Sequence, residues 1–216
     1  MIAIRRDWIA AALVLSAIGW WYSPISPRPL PFPAQAPGFA QACLPPPSVA
    51  AGAEPLQTAV PAELHPYRLE AGTLTPLAGF SIEGRLLSRR DYRADRLAEF
   101  APTDLAMAWG RMREDAVLSR MTFRQEVRFL SYYWADRPPL PLQEIGRSSA
   151  NLHIIPADAA VARALKRTRA GEQVRVDGWL VRIDAKDGWQ AVSSLSRDDQ
   201  GAGACEIVYA CAIRAR

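Results

Sequence analysis

The chain has 216 residues, of which 50% are hydrophobic and 22% are charged. This length suits one domain with an accessory segment. The composition excludes wholesale disorder, a collagen-like fibre and a polytopic membrane protein. The formal net charge of +4 is compatible with an anionic partner, but acidic residues lie among the arginines, which is typical of a solvated surface.

The N-terminus predicts an uncleaved signal anchor. Arg5 and Arg6 precede an uncharged run over residues 8–22 that has aromatic residues at both ends. Aromatic rings favour the two interfaces of a bilayer, and the arginines favour a cytoplasmic tail over residues 1–7. We therefore expect one transmembrane helix, 8–22, in contact with the lipid bilayer of a bacterial inner membrane. A cleaved signal peptide is the alternative, although the residues that follow make a poor cleavage site.

A proline-rich segment follows the anchor. Between Pro24 and Pro61 there are 11 prolines and two charged residues. Proline lacks the amide donor and disfavours a helical residue before it, so this density excludes a helix or a central strand. We expect residues 23–62 to form an extended spacer, and residues 63–216 to form a periplasmic domain.

The first half of that domain predicts alternating strands and helices. A helix is expected where apolar residues follow Pro102 at helical spacing, and Asp158 is placed to cap a second helix that Gly171 ends. The elements expected here are a strand over Phe80–Leu87, a helix from Pro102 through Ala116, a strand over Gln125–Trp134, a strand over Asn151–Ile155 and the helix after Asp158.

The last third predicts strands. A switch of apolar parity at Asp177-Gly178 indicates a β-bulge, and Asp187-Gly188 is typical of a hairpin turn. Alternating apolar residues from Ile207 to Ile213 indicate a final strand. Together these elements predict an α+β fold, a small, partly closed, OB-like β-barrel with two or more packed helices, preceded by one transmembrane helix.

The three cysteines leave their pairing open. In an extended strand Cys205 and Cys211 would be about 20 Å apart, too far for a disulfide, so we expect both to be buried as small hydrophobic residues. Cys43 lies in the spacer and is able to close one bridge at most. The spacing of cysteines and histidines does not resemble a zinc site, and the sequence predicts neither a metal nor a cofactor.

Two polar segments carry the candidate catalytic residues. A histidine beside a serine can act as a general base, and an asparagine can orient it or stabilise an oxyanion. The candidates are Ser148, Ser149, Asn151 and His153 in the first segment and Asp198, Asp199 and Glu206 in the second. A turn before a strand and a flexible loop explain the same residues without catalysis.

Four segments resemble a set of short, membrane-anchored bacterial proteins of uncharacterised activity. They are GRLLSRRDYR, PTDLAMAWGRM, SSANLHIIPAD, with its Ser-Ser-Ala-Asn-x-His-x-Ile-Pro pattern, and SSLSRDDQGAGACE. The resemblance implies a membrane location and a single domain. It also makes His153 and the segment from Asp198 to Glu206 candidates for one shared site.

The sequence therefore predicts a membrane-tethered periplasmic binding or assembly module that is non-catalytic and whose partner is another envelope protein or a polymer. The alternative is a hydrolase acting on an envelope or nucleic-acid substrate, with His153, Ser148 or Ser149, and Asp198 or Asp199 converging. A third hypothesis is an OB-type binder of single-stranded nucleic acid, which needs exposed aromatic rings beside arginines. A periplasmic location argues against that hypothesis, and burial of Trp179, Trp189 and Tyr132 would exclude it.

Overall fold

The computed structural model describes residues 6–23, 32–196 and 205–216. The chain divides into two units, Met1–Leu30 and Pro31–Arg216. In the first unit α1 (Arg6–Tyr22) contains the helix expected over 8–22, and its large apolar side chains are exposed. Within the described ranges no helix has both the length and the apolar character needed to cross a membrane.

The described part of the second unit is mostly β-structure with short helices. Its strands are β1 (Leu56–Thr58), β2 (Tyr67–Arg68), β3 (Gly72–Asp91), β4 (Thr103–Ala108), β5 (Thr122–Glu126), β6 (Phe129–Tyr133), β7 (Ser149–Pro156), β8 (Gln173–Ala185), β9 (Gln190–Val192) and β10 (Glu206–Ala215). Its α-helices are α2 (Asp115–Leu118), α3 (Leu142–Arg147) and α4 (Ala159–Arg167), and 3-10 turns cover Arg96–Glu99 and Gly110–Arg113.

Five strands pair in a ring. The long strand β3 pairs with β4, β4 with β7, β7 with β10, β10 with β8, and β8 again with β3. All these pairs are antiparallel except β7 with β10, which is parallel. Strands β1 and β2 add to β3, β9 adds to β8, and β5 and β6 form a separate two-stranded sheet. The expected α+β class with a sheet core is confirmed.

Strand β8 is buried on both faces, because a different core packs on each. Val174, Val176 and Leu180 belong to a cluster that receives residues from all five ring strands and from α4. Trp179 and Val181, with the opposite parity, belong to a second cluster on the other face. The parity switch read from the sequence therefore reflects two cores and not a break within β8.

The β-bulge lies on the neighbouring strand, at Cys211. The register of β10 against β8 shifts between Ala210 and Ala212, so Cys211 is the extra residue opposite Asp177 and Gly178. A bulge reverses which residues face each side. Tyr209 accordingly packs in the second cluster, whereas Ile213, predicted on the same face, packs in the first.

The helix predicted after Pro102 is wrong. Residues Thr103–Ala108 form β4, and every one of them is buried. A strand buried on both faces has no period of two, and its alanines, leucine and methionine are good helix formers, so the local pattern favoured a helix. In the rest of the range predicted to be helical, which ends at Ala116, only the 3-10 turn Gly110–Arg113 and the start of α2 are helical.

The strand predicted over Gln125–Trp134 is a hairpin. Strands β5 and β6 pair antiparallel with Glu126 opposite Phe129. Val127 and Arg128 form the two-residue turn, with φ of 49° and 69°. A tight two-residue hairpin requires the left-handed backbone conformation at both turn positions. Valine and arginine are not residue types that predict this conformation.

The second predicted helix is confirmed in α4. The Asp158 carboxylate accepts the backbone N–H groups of Ala160 and Val161 at 2.7 and 2.9 Å, which caps the helix start. The helix ends at Arg167, and Gly171 takes a positive φ of 93° in the turn that leads to β8.

The described part of the predicted spacer, 32–62, packs on the ring. A disulfide joins Cys43 to Cys211, with Cα atoms 5.0 Å apart. The indole Nε1 of Trp179 donates to the Leu44 carbonyl at 3.0 Å, and Val49 is buried. The folded unit therefore begins earlier than the expected boundary at residue 63, and Cys211 is a disulfide partner instead of a free buried thiol.

Candidate functional site

His153, Asn151 and Asp104 lie together on the outer face of two neighbouring strands. Strands β4 and β7 pair antiparallel with Asp104 opposite His153. The intervening residues Leu105 and Leu152 belong to the core of the ring, and side chains two residues apart share a face. The face predicted to carry both Asn151 and His153 is therefore confirmed.

The Asp104 carboxylate accepts three side-chain donors in a fully buried position. Its Oδ1 lies 2.9 Å from His153 Nδ1 and 2.6 Å from Arg128 Nη1. Its Oδ2 accepts from Asn151 Nδ2 at 3.2 Å. Because an ionised carboxylate only accepts hydrogen bonds, the His153 ring carries its proton on Nδ1.

Arg128 reaches this carboxylate from the hairpin turn, and its side chain is only 12% exposed. Its Nη2 also donates to Asp95 at 2.7 Å, and its Nη1 to the Ala101 carbonyl at 3.0 Å. The guanidinium carbon lies 3.8 Å from the centre of the Tyr92 ring. Two carboxylates and a cation–π contact therefore hold one guanidinium in place.

Tyr92 completes the surroundings of Arg128. Its hydroxyl accepts the Arg128 backbone N–H at 3.2 Å. Burial raises the pKa of Tyr92, and the Asp104 charge adds to the rise, although that hydrogen bond and the charges of Arg128 and Arg90 oppose it.

Two further side chains extend the hydrogen bonds across the hairpin. Gln125 Nε2 donates to Asn151 Oδ1 at 2.7 Å, and Ser88 Oγ donates to Gln125 Oε1 at 2.8 Å. Asn151 Nδ2 also donates to the Arg128 carbonyl at 2.8 Å. We name these residues the polar cluster: Ser88, Asp104, Gln125, Arg128, Asn151 and His153. The cluster ties the hairpin to β3, β4 and β7.

The structure does not bring Ser148 or Ser149 to His153. Ser149 Oγ donates to the Ile145 carbonyl of α3 at 2.8 Å. Ser149 is also four residues from His153 along β7, a separation of about 13 Å in a strand. Ser148 follows the end of α3, where its carbonyl accepts the Trp109 N–H at 3.0 Å.

Of the three acidic candidates, only Glu206 lies within the described residues. Glu206 is buried at the start of β10, opposite Leu152 and one position from His153 in the register. The Cys205 thiol lies 3.7 Å from the Arg128 carbonyl, so this end of β10 adjoins the polar cluster. Asp198 and Asp199 lie outside the described residues.

The hydrogen bonds of the polar cluster hold the hairpin against β3, β4 and β7. A histidine oriented by a carboxylate is a suitable general base, but His153 is only 6% exposed. In the ranges that the structure describes, no hydroxyl contacts His153, and no group of three or more His, Cys, Asp or Glu residues is placed to bind a metal. The described residues therefore place no nucleophile beside His153.

The sequence missed the partners that explain His153. Asp104 was assigned to a helix, and only a strand assignment of Thr103–Ala108 would place it opposite His153. Arg128 was assigned to the middle of a strand, and only a tight turn there brings it to Asp104. No sequence signal separated Tyr92 and Asp95 from ordinary loop residues.

A groove of about 490 Å³ lies on another face of the second unit. Its lining includes Phe39, Gln41, His65 and Arg68. The Arg68 guanidinium stands 5.0 Å from the centre of the Phe39 ring. The groove lies between the N-terminal segment and β2, away from the polar cluster, and it was not predicted.

The three aromatic residues that bear on the nucleic-acid hypothesis differ in burial. Trp179 is buried at 4% exposure. The half-buried Trp189 stacks on Phe100 at 6.2 Å, and the half-buried Tyr132 stacks on Trp134 at 6.2 Å. One face of each of these two rings is therefore covered by another ring of the protein.

No protein-family model, no curated protein and no solved structure matches this chain. The function is therefore inferred from the geometry of the described residues.

Proposed function

We propose that the protein is a membrane-tethered periplasmic module, non-catalytic, that binds or assembles with another envelope protein. The observation that carries this proposal is the disulfide between Cys43 and Cys211. Disulfides form and persist in oxidising compartments such as the periplasm and are rare in the cytosol. A module on the periplasmic side of the inner membrane meets that condition.

The first unit supports the tether. Helix α1 exposes large apolar side chains along its whole length, among them Trp8, Leu13, Leu15 and Trp20. Apolar residues on all sides of a helix need an apolar environment. The sequence adds apolar residues at Ile2 and Ile4, ahead of α1, and basic residues at Arg5 and Arg6, which favour a cytoplasmic N-terminus.

The strand ring supports an OB-like barrel. Counted along the chain, β3, β4, β7, β8 and β10 are the first to fifth ring strands, and they pair in the order first, second, third, fifth, fourth, first. Helix α4 lies between the third and the fourth. This order and this helix position are those of the five-stranded OB barrel.

The hairpin supports a non-catalytic role. OB barrels bind oligonucleotides and oligosaccharides across their second and third strands, which correspond to β4 and β7. Here Gln125 and Arg128 of the hairpin bond to side chains on that face, at Asn151 and Asp104. The usual ligand face is thereby occupied by the protein itself, which favours a protein partner bound elsewhere.

The location is tested in intact cells with the full chain carrying a C-terminal epitope. We expect the protein to sediment with membranes and resist an alkaline wash, and we expect spheroplasts to expose its domain to added protease. After thiols are blocked in living cells, it should migrate as the oxidised form, whereas Cys43→Ser and Cys211→Ser should not. Reduced thiols together with protection from protease would contradict the periplasmic location.

The binding role is tested by cross-linking in the same cells. A binding module should give a discrete adduct in membranes, and the adduct should persist in His153→Gln, since the proposal gives His153 no reactive role. Loss of the adduct in a variant that remains oxidised, membrane-bound and folded would instead place the interaction at the polar cluster. Absence of any adduct with cross-linkers of several lengths would count against a stable partner.

One observation favours the hydrolase alternative, namely the 2.9 Å contact between His153 and Asp104. If a serine nucleophile operates, a fluorophosphonate probe should label the full chain at a serine that mass spectrometry can locate. Labelling should disappear in His153→Gln and persist in Asp136→Asn, which changes an exposed carboxylate. Unlabelled protein at probe concentrations that label a known serine hydrolase would exclude that mechanism.

A further inference from the structure

Three ring strands place an arginine-rich surface at one edge of the second unit. Glu83 on β3 lies opposite Arg175 on β8, and Arg175 lies opposite Arg214 on β10. In the next rung the backbones of Gln173 and Arg216 exchange two hydrogen bonds of 3.2 and 2.9 Å. Since the alternate residues of these strands pack in the core, all five side chains share the outer face.

These side chains line one depression of about 70 Å³. Polar groups surround it, and a volume of this size accommodates a few waters or one tetrahedral oxyanion. Three guanidinium groups, from Arg175, Arg214 and Arg216, face a single carboxylate, from Glu83. The local potential is therefore positive, although acidic residues are mixed with basic ones elsewhere.

The Glu83 carboxylate orients one of the arginines. Arg175 donates to Glu83 Oε2 through Nε at 2.8 Å and through Nη2 at 2.5 Å. Both side chains are about four-fifths buried, with 20% and 18% exposure. The ion pair fixes the plane of the guanidinium and leaves its Nη1 without a partner among the described residues, where it can donate to a ligand.

Arg214 is held close to Arg175 without a compensating charge of its own. Within residues 6–23, 32–196 and 205–216 its side chain makes no hydrogen bond or ion pair. Like charges directly opposite in a sheet repel each other. An anion between the two guanidinium groups relieves this repulsion, and arginine suits phosphate because its donors match two oxygens at once.

Gln173 adds a second, independent indication. Its Oε1 is buried in the wall of the depression and has no hydrogen-bond partner within the described chain. A buried acceptor without a donor is unfavourable. A protonated phosphate oxygen supplies a P–O–H donor for this acceptor, whereas sulfate at neutral pH has none.

We propose that this depression binds a phosphate group. Arg175 Nη1, Arg214 and Arg216 donate to the phosphate oxygens, and Glu83 sets the orientation of Arg175. Gln173 accepts from the P–O–H group of a free phosphate ion or, since a phosphodiester carries no such proton, from a glycerol hydroxyl of a phosphatidylglycerol headgroup. The phosphate belongs either to a free phosphate ion or to the headgroup of an anionic phospholipid. This site does not depend on the proposed function, because it needs neither the tether nor a protein partner.

The test uses the full chain in micelles of a neutral detergent, with titration calorimetry at low salt. Inorganic phosphate is the first probe, and micelles doped with phosphatidylglycerol are the second. We expect saturable binding, and we expect Arg214→Gln and Arg175→Gln each to weaken it about tenfold, since one charge-assisted hydrogen bond is worth this much. In Glu83→Gln the amide oxygen can still accept from Arg175 and keep its guanidinium oriented, whereas the opposing charge is removed, so this variant should tighten binding several-fold.

The matched control is Arg163→Gln, which removes an exposed positive charge from α4 and should change the affinity less than about twofold.

Tighter binding of doped micelles, with inorganic phosphate as a competitor, identifies the lipid headgroup, and binding of phosphate alone identifies the free ion. Equal effects of Arg163→Gln and Arg214→Gln, an unchanged affinity in Glu83→Gln, or no saturable binding of either probe would overturn the proposal. Arg214 is exposed, so its variant should keep the parent melting temperature and remain interpretable if Arg175→Gln does not fold.

Discussion

At the scale of single residues, Asp104 on β4 joins side chains from two other segments. His153 and Asn151 come from β7, and Arg128 comes from the hairpin turn. A buried carboxylate is stable only when charged or polar donors surround it, and each of these donors is in turn fixed by a second partner or by its strand. The hairpin therefore depends on one carboxylate as much as on its apolar contacts.

Asp104→Asn should destabilise the domain. The amide keeps the shape of the side chain but removes the charge that faces Arg128. Its single oxygen can replace either Oδ1, which accepts from Arg128 and His153, or Oδ2, which accepts from Asn151, but not both. Removing one partner of a buried ion pair costs about 3–5 kcal/mol, and we expect the lower value because Asp95 still binds Arg128. Urea unfolding of the full chain in neutral detergent measures the change.

Asp136→Asn is the matched control for this substitution. Asp136 is exposed, so we expect a change within about 0.5 kcal/mol. Equal stability of the Asp104→Asn and Asp136→Asn variants would mean that the hairpin is held by apolar contacts and not by the polar cluster.

Two buried tyrosines in the second, outer cluster make stability dependent on alkaline pH. The rings of Tyr67 and Tyr209 lie 4.5 Å apart. Burial raises the pKa of each from 10.0 to about 12, and for Tyr67 the charge of Tyr209 adds to the rise. The folded state thus disfavours the phenolate that forms freely in the unfolded chain.

The stabilisation that follows should be fully present below pH 10 and lost between pH 10 and about 12. A rise of this size corresponds to about 2–3 kcal/mol per tyrosine. Tyr209→Phe, which removes one titrating group, should make the decline with pH distinctly shallower, as measured by urea unfolding across this window. Tyr133→Phe alters an exposed ring and should keep the parent slope; an unchanged slope in Tyr209→Phe would refute the assignment.

At the scale of the elements, the hairpin has a turn sequence that opposes its conformation. Val127 is 80% exposed, so its side chain adds little packing, yet it takes a φ of 49°. A β-branched residue in this region is strained, whereas asparagine or glycine tolerates it. The contacts of Arg128 beneath the turn offset that strain.

Val127→Asn should therefore stabilise the protein. Relief of an unfavourable left-handed conformation is worth about 0.5–1 kcal/mol, and asparagine is preferred at this position of the turn. The urea midpoint of the full chain should rise. Val192→Asn, at an exposed strand position of β9, should leave it unchanged or lower it, and a lower midpoint in Val127→Asn would show that the turn is not strained.

The local sequence pattern predicted those elements in which polar and apolar residues lie on different faces. Helix α4 carries a cap at Asp158, and β7 alternates polar with apolar residues, so both were recognised. Strand β4 was not, because burial on both faces removes the alternation and leaves a helix-forming composition. The hairpin was missed because its turn lacks glycine and asparagine and is stabilised by distant contacts of Arg128.

The candidate site was predictable only in part, for the same reason. The shared face of Asn151 and His153 follows from the period of a strand. Their partners Asp104 and Gln125 come from elements that the sequence did not identify. Pairing between distant segments depends on the order of the strands, and a single sequence carries no local signal for it.

At the scale of the whole second unit, the N-terminal segment is fastened across the outer core. The Cys43–Cys211 disulfide closes a separation of 168 residues. The Val49 N–H donates to Ser81 Oγ at 2.8 Å, and Ser81 Oγ donates to Asp177 at 2.5 Å. The proline-rich composition gives this segment no helix of its own, and its attachment depends on these contacts.

Removing the disulfide with a Cys43→Ala/Cys211→Ala double substitution should reduce stability strongly. Chain-entropy arguments assign about 5 kcal/mol to a loop of this length, and measured losses of native disulfides are about 2–5 kcal/mol. The bulge at Cys211 and the hydrogen bonds at Leu44 and Val49 remain, so the folded structure should be kept and the unfolded chain should gain freedom.

Guanidinium unfolding of the oxidised full chain should show a midpoint well above that of the variant, and reductant should bring the parent to the variant's value. Cys205→Ala, the control at the cysteine that is not part of this disulfide, should stay sensitive to reductant. If parent and double variant unfold at the same midpoint, the N-terminal segment is held by its packing and the disulfide adds no stability to this fold.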